Sequence, residues 1–565
     1  MIIDRQHHWN FLEDAITAEV TDFKTKFETK AETLLQDTSE IFVAQLVAFR
    51  KEGDMVVRFP ITRTTPRRRQ HLIAMILPHG LRNYRNWGDM TYEDLYKSRF
   101  CSTECMREWQ HPSGDGQFML VGFRGYSLEF EEMIRNVPFI IIIFAPQIPP
   151  IQYLSNLQKI VEDKGNWRIK EILDSDYKHK LVGPELIANN SPEFIINKMH
   201  ENDVIIVQGP PGTGKTYMLS EICRHFSRQG KSILVTSLTN RALMELASKE
   251  ALADLVSNGF VYKTNLTSDE QKELANLLPM ESVQPSKGRI VLSTFYVTSE
   301  YAILNSTSGA FDIVVMDEAS QAFLQMFAAA YKIGKKNIWV GDTKQLPPIV
   351  KINEDFINAK SYATLINGMK TISDNVSFPI YQLTQSYRFG NRTARYTGIF
   401  YNDTLLSNLV EAPNDIALLG GKVYLHDGPS LLELPMDMGD YTPNLAISAI
   451  VSIIHLLREK EPNADIAVLT CMVKTVLGLE TAIMRETSCS KKIIIETVAR
   501  VQGLTVDYTI FLIPNVAQSR SLEPRLFNVA TSRARKATVI IADRNIWSKQ
   551  NIDKNVERYL NELKN

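Results

Sequence analysis

Between residues 11 and 36 the apolar side chains fall at Ile16, Val20, Phe23, Phe27, Ala31 and Leu34, in alternating steps of four and three with Lys, Glu and Thr between them. That spacing predicts one long helix with a single apolar stripe, ending near residue 38. From Glu40 the texture changes to short runs, IFVAQLVAF, MVVRFPI, HLIAMIL and QFMLVGF, separated by turns rich in Gly, Pro and Arg. These predict a small antiparallel barrel over residues 39–149. The apolar run Phe139–Phe144, bracketed by Pro138 and Pro146, reads as one of its buried strands. After Pro150, Leu154, Leu157, Ile160 and Val161 share a helical face, which predicts a second helix and linker over 150–190. Two such helices lying together would make a stalk with the barrel inserted at its end.

Beyond residue 190 the pattern becomes strand, tight turn, helix, repeated. DVIIVQG, SILVTSL, RIVLSTF, DIVVMDE and NIWVGD are apolar throughout rather than alternating, as expected of parallel strands covered on both faces. A second series runs from YQLTQSY through DIAVLT, KIIIETV, YTIFLIP and TVIIADR. The fold class is therefore α/β with two lobes, over 191–375 and 376–565. Residues 407–441 are turn-rich and read as irregular.

Composition narrows the class without naming a chemistry. At 565 residues, 44% hydrophobic and 22% charged, the chain reads as a multi-domain globular protein. No run reaches the 18 or more apolar residues of a membrane span. The opening MIIDRQHHWNFLEDAITAEV has acids where an export signal has a basic then apolar segment, and the five cysteines are scattered. An intracellular, cytoplasmic protein is expected. Cys101 and Cys105 with His111 close by offer three metal ligands and no evident fourth. The net charge of −1 gives no general attraction to a polyanion, so a nucleic-acid surface needs a local concentration of cations. Between Arg58 and Arg85 lie Arg63, Arg67, Arg68, Arg69 and Arg82 with no acid in the window, and Tyr84 and Trp87 stand beside the last of them. That window serves equally as a charged and stacking face for a strand or as a solvated rim over packed rings.

The chemistry begins at Gly209-Pro210-Pro211-Gly212-Thr213-Gly214-Lys215-Thr216, which follows the strand VIIVQ and opens a helix. Glycines let backbone N–H groups close on phosphates, Lys215 neutralises the outer phosphates, and the Thr216 hydroxyl is placed for Mg²⁺. A phosphate loop needs an acid on a neighbouring strand, and FDIVVMDEAS supplies Asp317 for Mg²⁺ and Glu318 to activate water. ATP is favoured over GTP, because the Asn/Thr-Lys-x-Asp element of small GTPases is not apparent.

Asp317-Glu318-Ala319-Ser320 followed by Gly341-Asp342-Thr343-Lys344-Gln345-Leu346-Pro347-Pro348 resembles motifs II and III of superfamily 1 helicases. Gln385-Ser386-Tyr387-Arg388 resembles motif IV of that family, and Asn528-Val529-Ala530-Thr531-Ser532-Arg533-Ala534-Arg535 its motif VI. Thr236-Ser237-Leu238-Thr239-Asn240 and Ser293-Thr294 resemble the motifs that hold the strand's phosphates, and the segment around Arg500, Gln502 and Gly503 resembles motif V. The match is greatest to the Upf-like branch. Thr505 departs from it, standing where that branch carries Glu, and Gln-Gly-Leu-Thr echoes the RecD/Pif group instead. The glutamine motif that reads adenine has no clear counterpart in NNSPEFIINKMHEN.

The resemblance implies two RecA-like lobes, ATP and Mg²⁺, and a set of roles. Gln345 would sense the γ-phosphate, Tyr387 would stack on adenine, and Arg388 and Arg533 would act as arginine fingers. Gly503 would border the nucleotide, and Thr236, Ser237, Thr239, Asn240, Thr294 and Arg500 would touch single-stranded nucleic acid, DNA or RNA. It also implies 5′ to 3′ movement. A monomer is expected, with the barrel free for a protein partner. The alternative is an ATP-gated nucleic-acid clamp or scaffold that serves a partner nuclease or defence complex without processive unwinding.

Overall fold

The computed structural model describes residues 4–564 apart from 51–52, 68–69, 79–85, 136, 138, 175–182, 306, 375–377, 410–413, 419–420, 487–492, 516–517, 545 and 547–551. The chain forms two compact units, one of residues 13–151 with 267–269, the other of the remainder.

The smaller unit is built on a closed six-stranded antiparallel barrel of β1 (Phe42–Phe49), β2 (Met55–Pro60), β3 (His71–Ile76), β4 (Cys101–Pro112), β5 (Phe118–Arg124) and β6 (Ile141–Pro146), in the order β1-β2-β5-β4-β3-β6. Phe42, Val57, Phe59, Val121, Phe123 and Phe144 fill its interior. On β3, Leu72, Ala74 and Ile76 point inward, while Ile73 and Met75 point outward under Ala31, Leu34, Tyr92 and Leu95. Both faces being covered, HLIAMI is apolar without alternation.

The long N-terminal helix of the sequence reading is two helices, Arg5–Phe27 and Ala31–Gln36. Lys30 is extended, and the backbone at Thr29 and Ala31 pairs with Tyr92 and Met90. Hydrogen bonds to a neighbouring segment replace the helical ones there, a competition that side-chain periodicity cannot register.

In the larger unit a nine-stranded sheet runs β11-β10-β12-β9-β13-β14-β8-β15-β7, with every pair parallel. Its strands are β7 (Glu185–Ile187), β8 (Val204–Gln208), β9 (Ile233–Ser237), β10 (Val261–Thr264), β11 (Leu278–Met280), β12 (Ile290–Thr294), β13 (Phe311–Met316), β14 (Gly334–Gly341) and β15 (Ile380–Leu383). Two short strands, β16 (Gln385–Ser386) and β17 (Leu406–Ser407), pair with each other, as do β18 (Asn414–Leu418) and β19 (Gly421–His426). A parallel five-stranded sheet follows, in the order β20-β24-β23-β21-β22, from β20 (Gly428–Leu434), β21 (Ile466–Thr470), β22 (Ile493–Thr497), β23 (Val506–Ile513) and β24 (Ala534–Asp543). The α/β class, two RecA-like parallel sheets and an N-terminal barrel stand as read.

Two details differ from the sequence reading. YQLTQSY does not open the second sheet: β15 pairs with β8 and β7, and Tyr381 and Leu383 lie in the core of the first. A fully apolar parallel strand looks the same in any sheet, and only pairing assigns it. Residues 407–441 carry three strands rather than irregular chain, and β20 is an edge of the second sheet. The helices Gln152–Glu162 and Trp167–Leu173 pack on Leu324–Ile333 of the nine-stranded half, where Leu157, Ile160, Ile169 and Ile172 are buried.

The first turns of helix Arg5–Phe27 are anchored in the same half. Arg5 donates to Val161 O at 2.7 Å and to Asp174 at 2.5 Å. Buried His8 lies 3.2 Å from Leu173 O, and Gln325 Nε2 lies 3.1 Å from its Nδ1. The amide donates to Nδ1, so Nε2–H donates to the carbonyl and the ring is neutral. Burial pushes the His8 pKa down from 6.5 to about 4, Arg5 adding to the effect and the Leu173 carbonyl opposing it. A depressed histidine contributes stability that is complete above pH 6.5 and is lost as pH falls toward 4. Acidification from pH 8 to pH 5 should therefore cost about 2 kcal/mol through this ring. Denaturant unfolding at the two pH values should show a smaller difference in His8→Asn; an equal difference would mean that His8 is not the group responsible.

Candidate nucleotide site

β8 is VIIVQ, five buried residues in mid-sheet, so the chain can leave the sheet only at Gly209. The loop that follows is shaped by its glycines. Gly212 and Gly214 have φ of +76° and +75°, a region that residues with a Cβ adopt only under strain. A Cβ on Gly209 would collide with the Lys215 side chain, and one on Gly212 would stand 2.5 Å from Arg388 Cβ and Ser386 Oγ. Lys215 donates to Gly209 O at 2.7 Å, and Thr213 Oγ1 to Pro210 O at 2.8 Å. No side chain caps the helix Lys215–Arg228 that begins here. Bare first-turn amides, an ammonium and a glycine loop with no room for side chains make a fitting cradle for phosphate oxygens.

In a parallel sheet the loops that carry chemistry leave at the carboxyl edge. Asp317 follows β13 there, and Glu318 comes next with φ +52°. The Glu318 N–H donates to Asp317 Oδ1 at 2.8 Å. Burial, and then the neighbouring Glu318, push the Asp317 carboxyl up to about 7, while Lys215 pulls it down. The buried Asp317 carboxyl, with the Thr216 hydroxyl next to Lys215 in the chain, offers oxygen donors of the kind a hard divalent cation takes.

β14 delivers Asp342 to the same edge, beside β8, where Gly209 N–H donates to Gly341 O at 2.9 Å. Asp342 accepts from Gln208 Nε2 at 2.6 Å, Gln345 Nε2 at 2.7 Å and Lys344 N–H at 3.0 Å. Gln345 in turn accepts from Arg533 Nη2 at 3.1 Å. Arg388 Nη1 donates to Ser532 O at 2.9 Å. Desolvation and the nearby Arg533 push the Arg388 pKa down to about 9, and burial lowers that of Arg533. Both guanidiniums also feel the Glu318 carboxylate. Two desolvated cations facing the acids are placed for negative charge developing between them.

The structure thus brings Lys215, Asp317, Glu318, Gln345, Arg388 and Arg533 to one cleft, with Thr216 one residue along the helix. Tyr387 is 53% exposed, its N–H bonded to Gly212 O at 2.8 Å and its ring 3.8 Å from where a Gly214 Cβ would stand. Arg388 lies between β15, in the nine-stranded sheet, and the helix Asn391–Gly398, whose Tyr396 is in the core of the five-stranded half. Gly503 has φ +78° in an exposed turn, and a Cβ there would meet nothing within 4 Å.

The strand-contact residues divide. Thr236 and Ser237 are fully buried, Thr236 bonding Thr298 Oγ1 at 2.8 Å, because β9 is central and covered on both faces. They are withdrawn from any surface. Thr239 is exposed and caps the helix Asn240–Ala247 by accepting from Ala242 N–H at 3.3 Å, and Asn240 is exposed beside it. Thr294 is half-buried at the end of β12. Arg500 is exposed, with Glu496 at 3.7 Å.

On the barrel, Arg58 lies 4.6 Å over Phe118 and donates to Gln45 at 2.7 Å, Arg63 is exposed, and Trp87 packs on the outer core. Arg68, Arg69, Arg82, Tyr84 and Arg85 lie outside the described residues. Cys101 and Cys105 face the apolar barrel interior, whereas His111 stacks on Trp109 at 5.1 Å. Among the described residues no three His, Cys, Asp or Glu side chains gather as a metal set, and no helix is long and apolar enough to cross a membrane. Sequence reasoning assigned no role to Gln208 or Asp342, which pair across adjacent strand ends 134 residues apart. The only local signal was a polar residue closing each strand.

A family model described as an AAA domain matches residues 194–354. The DNA replication ATP-dependent helicase/nuclease DNA2 of Saccharomyces cerevisiae is 29% identical over 177 residues, 31% of this chain and 12% of that protein. DNA2 of Xenopus laevis is 27% identical over 252 residues, 42% of this chain and 23% of that protein. The chain thus spans less than a quarter of the length of these curated relatives. A solved arterivirus nonstructural protein 10, a helicase, aligns over 89% of this chain and 76% of its own at 12% identity and a TM-score of 0.37.

Gly212→Ala should cost about 1–3 kcal/mol, from positive φ and from the displaced Arg388 segment. Denaturant unfolding measures that loss, and titration with a non-hydrolysable nucleotide should show weaker binding; full stability would mean that the loop relaxes at no cost.

Proposed function

We propose that the chain is a superfamily 1 helicase on the Upf-like and DNA2 side, an ATP-driven motor moving on single-stranded nucleic acid inside the cell. One observation carries the reading: Lys215, Asp317, Glu318 and Gln345 meet Arg388 and Arg533 in one cleft, with Arg533 delivered by a separate sheet. Phosphoryl transfer needs little covalent help and much charge stabilisation, so this is the machinery the reaction asks for.

In this mechanism the loop amides from Gly209 to Thr216 and the Lys215 ammonium hold the phosphates of ATP. Thr216 and Asp317 would hold Mg²⁺, which when bound would supply positive charge to the phosphoryl oxygens. Glu318, next to the metal acid, orients and deprotonates the attacking water. Gln345, already bonded to Arg533, reports the γ-phosphate, and Arg388 and Arg533 stabilise the transition state. Tyr387 offers a half-exposed ring to the base, a contact that needs no edge recognition. Because Gln345 and Arg533 belong to different sheets, phosphate occupancy and the relation of the two sheets are linked, and a strand held by both is moved as that relation changes.

The strand contacts we propose are the accessible members of the motif set, Thr239, Asn240, Thr294 and Arg500, which suit phosphates and read no sequence. Movement from 5′ to 3′ follows from branch membership. The division we propose keeps a barrel unit at 39–149 between helical segments at 1–38 and 150–190, then a nucleotide half from 191 and a second half ending at 565. β15 carries the first of these halves past residue 375, to about 383. The barrel is available to a protein partner, and the motor acts as a monomer.

Steady-state ATPase without polymer, then with single-stranded DNA and RNA of matched sequence at low salt, tests this directly. Stimulation by one polymer is expected and names the track; none by either would replace the motor with an ATP-gated clamp. Lys215→Ala should abolish tight nucleotide binding, and Glu318→Gln should bind ATP yet hydrolyse it very slowly. Arg533→Ala should lower kcat on the order of a thousandfold with little change in affinity, and a wild-type kcat would remove Arg533 from the reaction.

A further inference from the structure

The γ-phosphate-sensing loop and the arginine-bearing segment are joined by more than the Gln345–Arg533 bond. Tyr401 sits in the core of the five-stranded half, its ring buried with Ile399, Phe400, Phe511 and Phe527. Its hydroxyl leaves that core and donates to Asp342 Oδ2, in the nine-stranded half, at 2.7 Å. Asn528, buried on the helix Pro524–Thr531, donates from Nδ2 to the Tyr401 hydroxyl at 2.8 Å and to Lys344 O at 2.9 Å.

The polarity of this seam is fixed. Asp342, as a carboxylate, only accepts, so the phenol must donate to it and can then only accept from Asn528. Lys344 O also only accepts, so both amide hydrogens of Asn528 are committed, and its Oδ1 is buried with no partner among the described residues. An unsatisfied buried acceptor is a standing cost, tolerated where the donors are needed. Oδ1 of Asp342 takes Gln208 and Lys344 N–H, and Oδ2 takes Gln345 and Tyr401. Each of the two oxygens therefore holds two donors, and the second donor on Oδ2 is the only one supplied by the other half.

We propose that Tyr401 and Asn528 are positioning residues that lock the Gly341–Leu346 loop, with its sensor Gln345, in register with the segment carrying Arg533. The proposal rests on the motor reading for its functional meaning, although the seam is a physical contact with or without it. The hydrogen bonds of both side chains go to Asp342, to Lys344 O and to each other. They act through Asp342 and Lys344: a shift of Gln345 when the γ-phosphate leaves must move Asp342, and with it a tyrosine rooted in the other half's core.

Two variants separate positioning from folding. Tyr401→Phe keeps the ring in the core and deletes only the hydroxyl. Asn528→Asp keeps the shape and sets a carboxylate oxygen against Lys344 O. Hydrogen exchange of the whole protein should become at least threefold faster in residues 341–346 and in 524–532 together in either variant, with β8 and β23 unchanged. In the same preparations KM for ATP should stay within about threefold while kcat falls tenfold or more, and the double variant should be no worse than the more affected single one. Unchanged exchange in either segment overturns the seam. Faster exchange with an unchanged kcat overturns its role in transmission. Faster exchange in a protein whose wild type has no ATPase under any condition leaves the seam standing and removes the motor reading instead.

Discussion

Everything chemical in the larger unit depends on β8 and β14 lying side by side and parallel. That pairing brings Gly209 N–H to Gly341 O and Gln208 to Asp342, so the glycine-rich loop and the Gly341–Leu346 loop leave the sheet as neighbours. Parallel pairing sends every strand out at the same edge, and β13, next to β14, adds Asp317 and Glu318 there. Three loops far apart in the chain therefore converge without any one of them being specialised to find the others. The price is a set of charges in a poorly hydrated place. Asp317 rises to about 7, Arg388 falls to about 9, and both are held off their ordinary behaviour by desolvation more than by any partner. Such groups respond strongly to an incoming anion or cation, which is what a site that binds and releases charged ligands requires.

The five-stranded sheet contributes less chemistry and more mechanics. It has a core of its own, on which Leu346 packs, and it meets the nine-stranded half through directed hydrogen bonds. Arg533 reaches Gln345, Arg388 reaches Ser532 O, and Arg525 reaches Asn367 at 2.6 Å. Directional bonds of this kind set register where an apolar surface would allow sliding. The barrel follows another logic, packing one core within its strands and another between β3, β6 and the helices outside them. Trp109 lies over Gly122, where any side chain would collide with its ring.

Much of the site was legible in the residues. The glycine loop between a buried strand and a helix, the paired acids after an apolar strand, and the glutamine and arginine motifs named six side chains that the fold gathers into one cleft. The strand contacts were less legible, because a hydroxyl at a strand end reads alike whether it faces solvent or, like Thr236, another threonine inside. The assignment of β15 and the break at Lys30 were hidden for a related reason. Both depend on which segment supplies the hydrogen bonds, and periodicity records only which face is apolar.

By itself the sequence determined the side chains on offer: a glycine-rich loop between a strand and a helix, paired acids after an apolar strand, and glutamine and arginine motifs near strand ends. It also determined the class of fold, since uniformly apolar strands between helices have no stable arrangement other than a sheet covered on both sides. The tertiary structure alone decided which strands are neighbours, which hydroxyls are exposed, and that Asp342 is held from both halves at once. Those are facts of pairing and burial between residues distant in the chain, 134 positions for Gln208 and Asp342 and 59 for Tyr401 and Asp342, and local sequence carries no term for them.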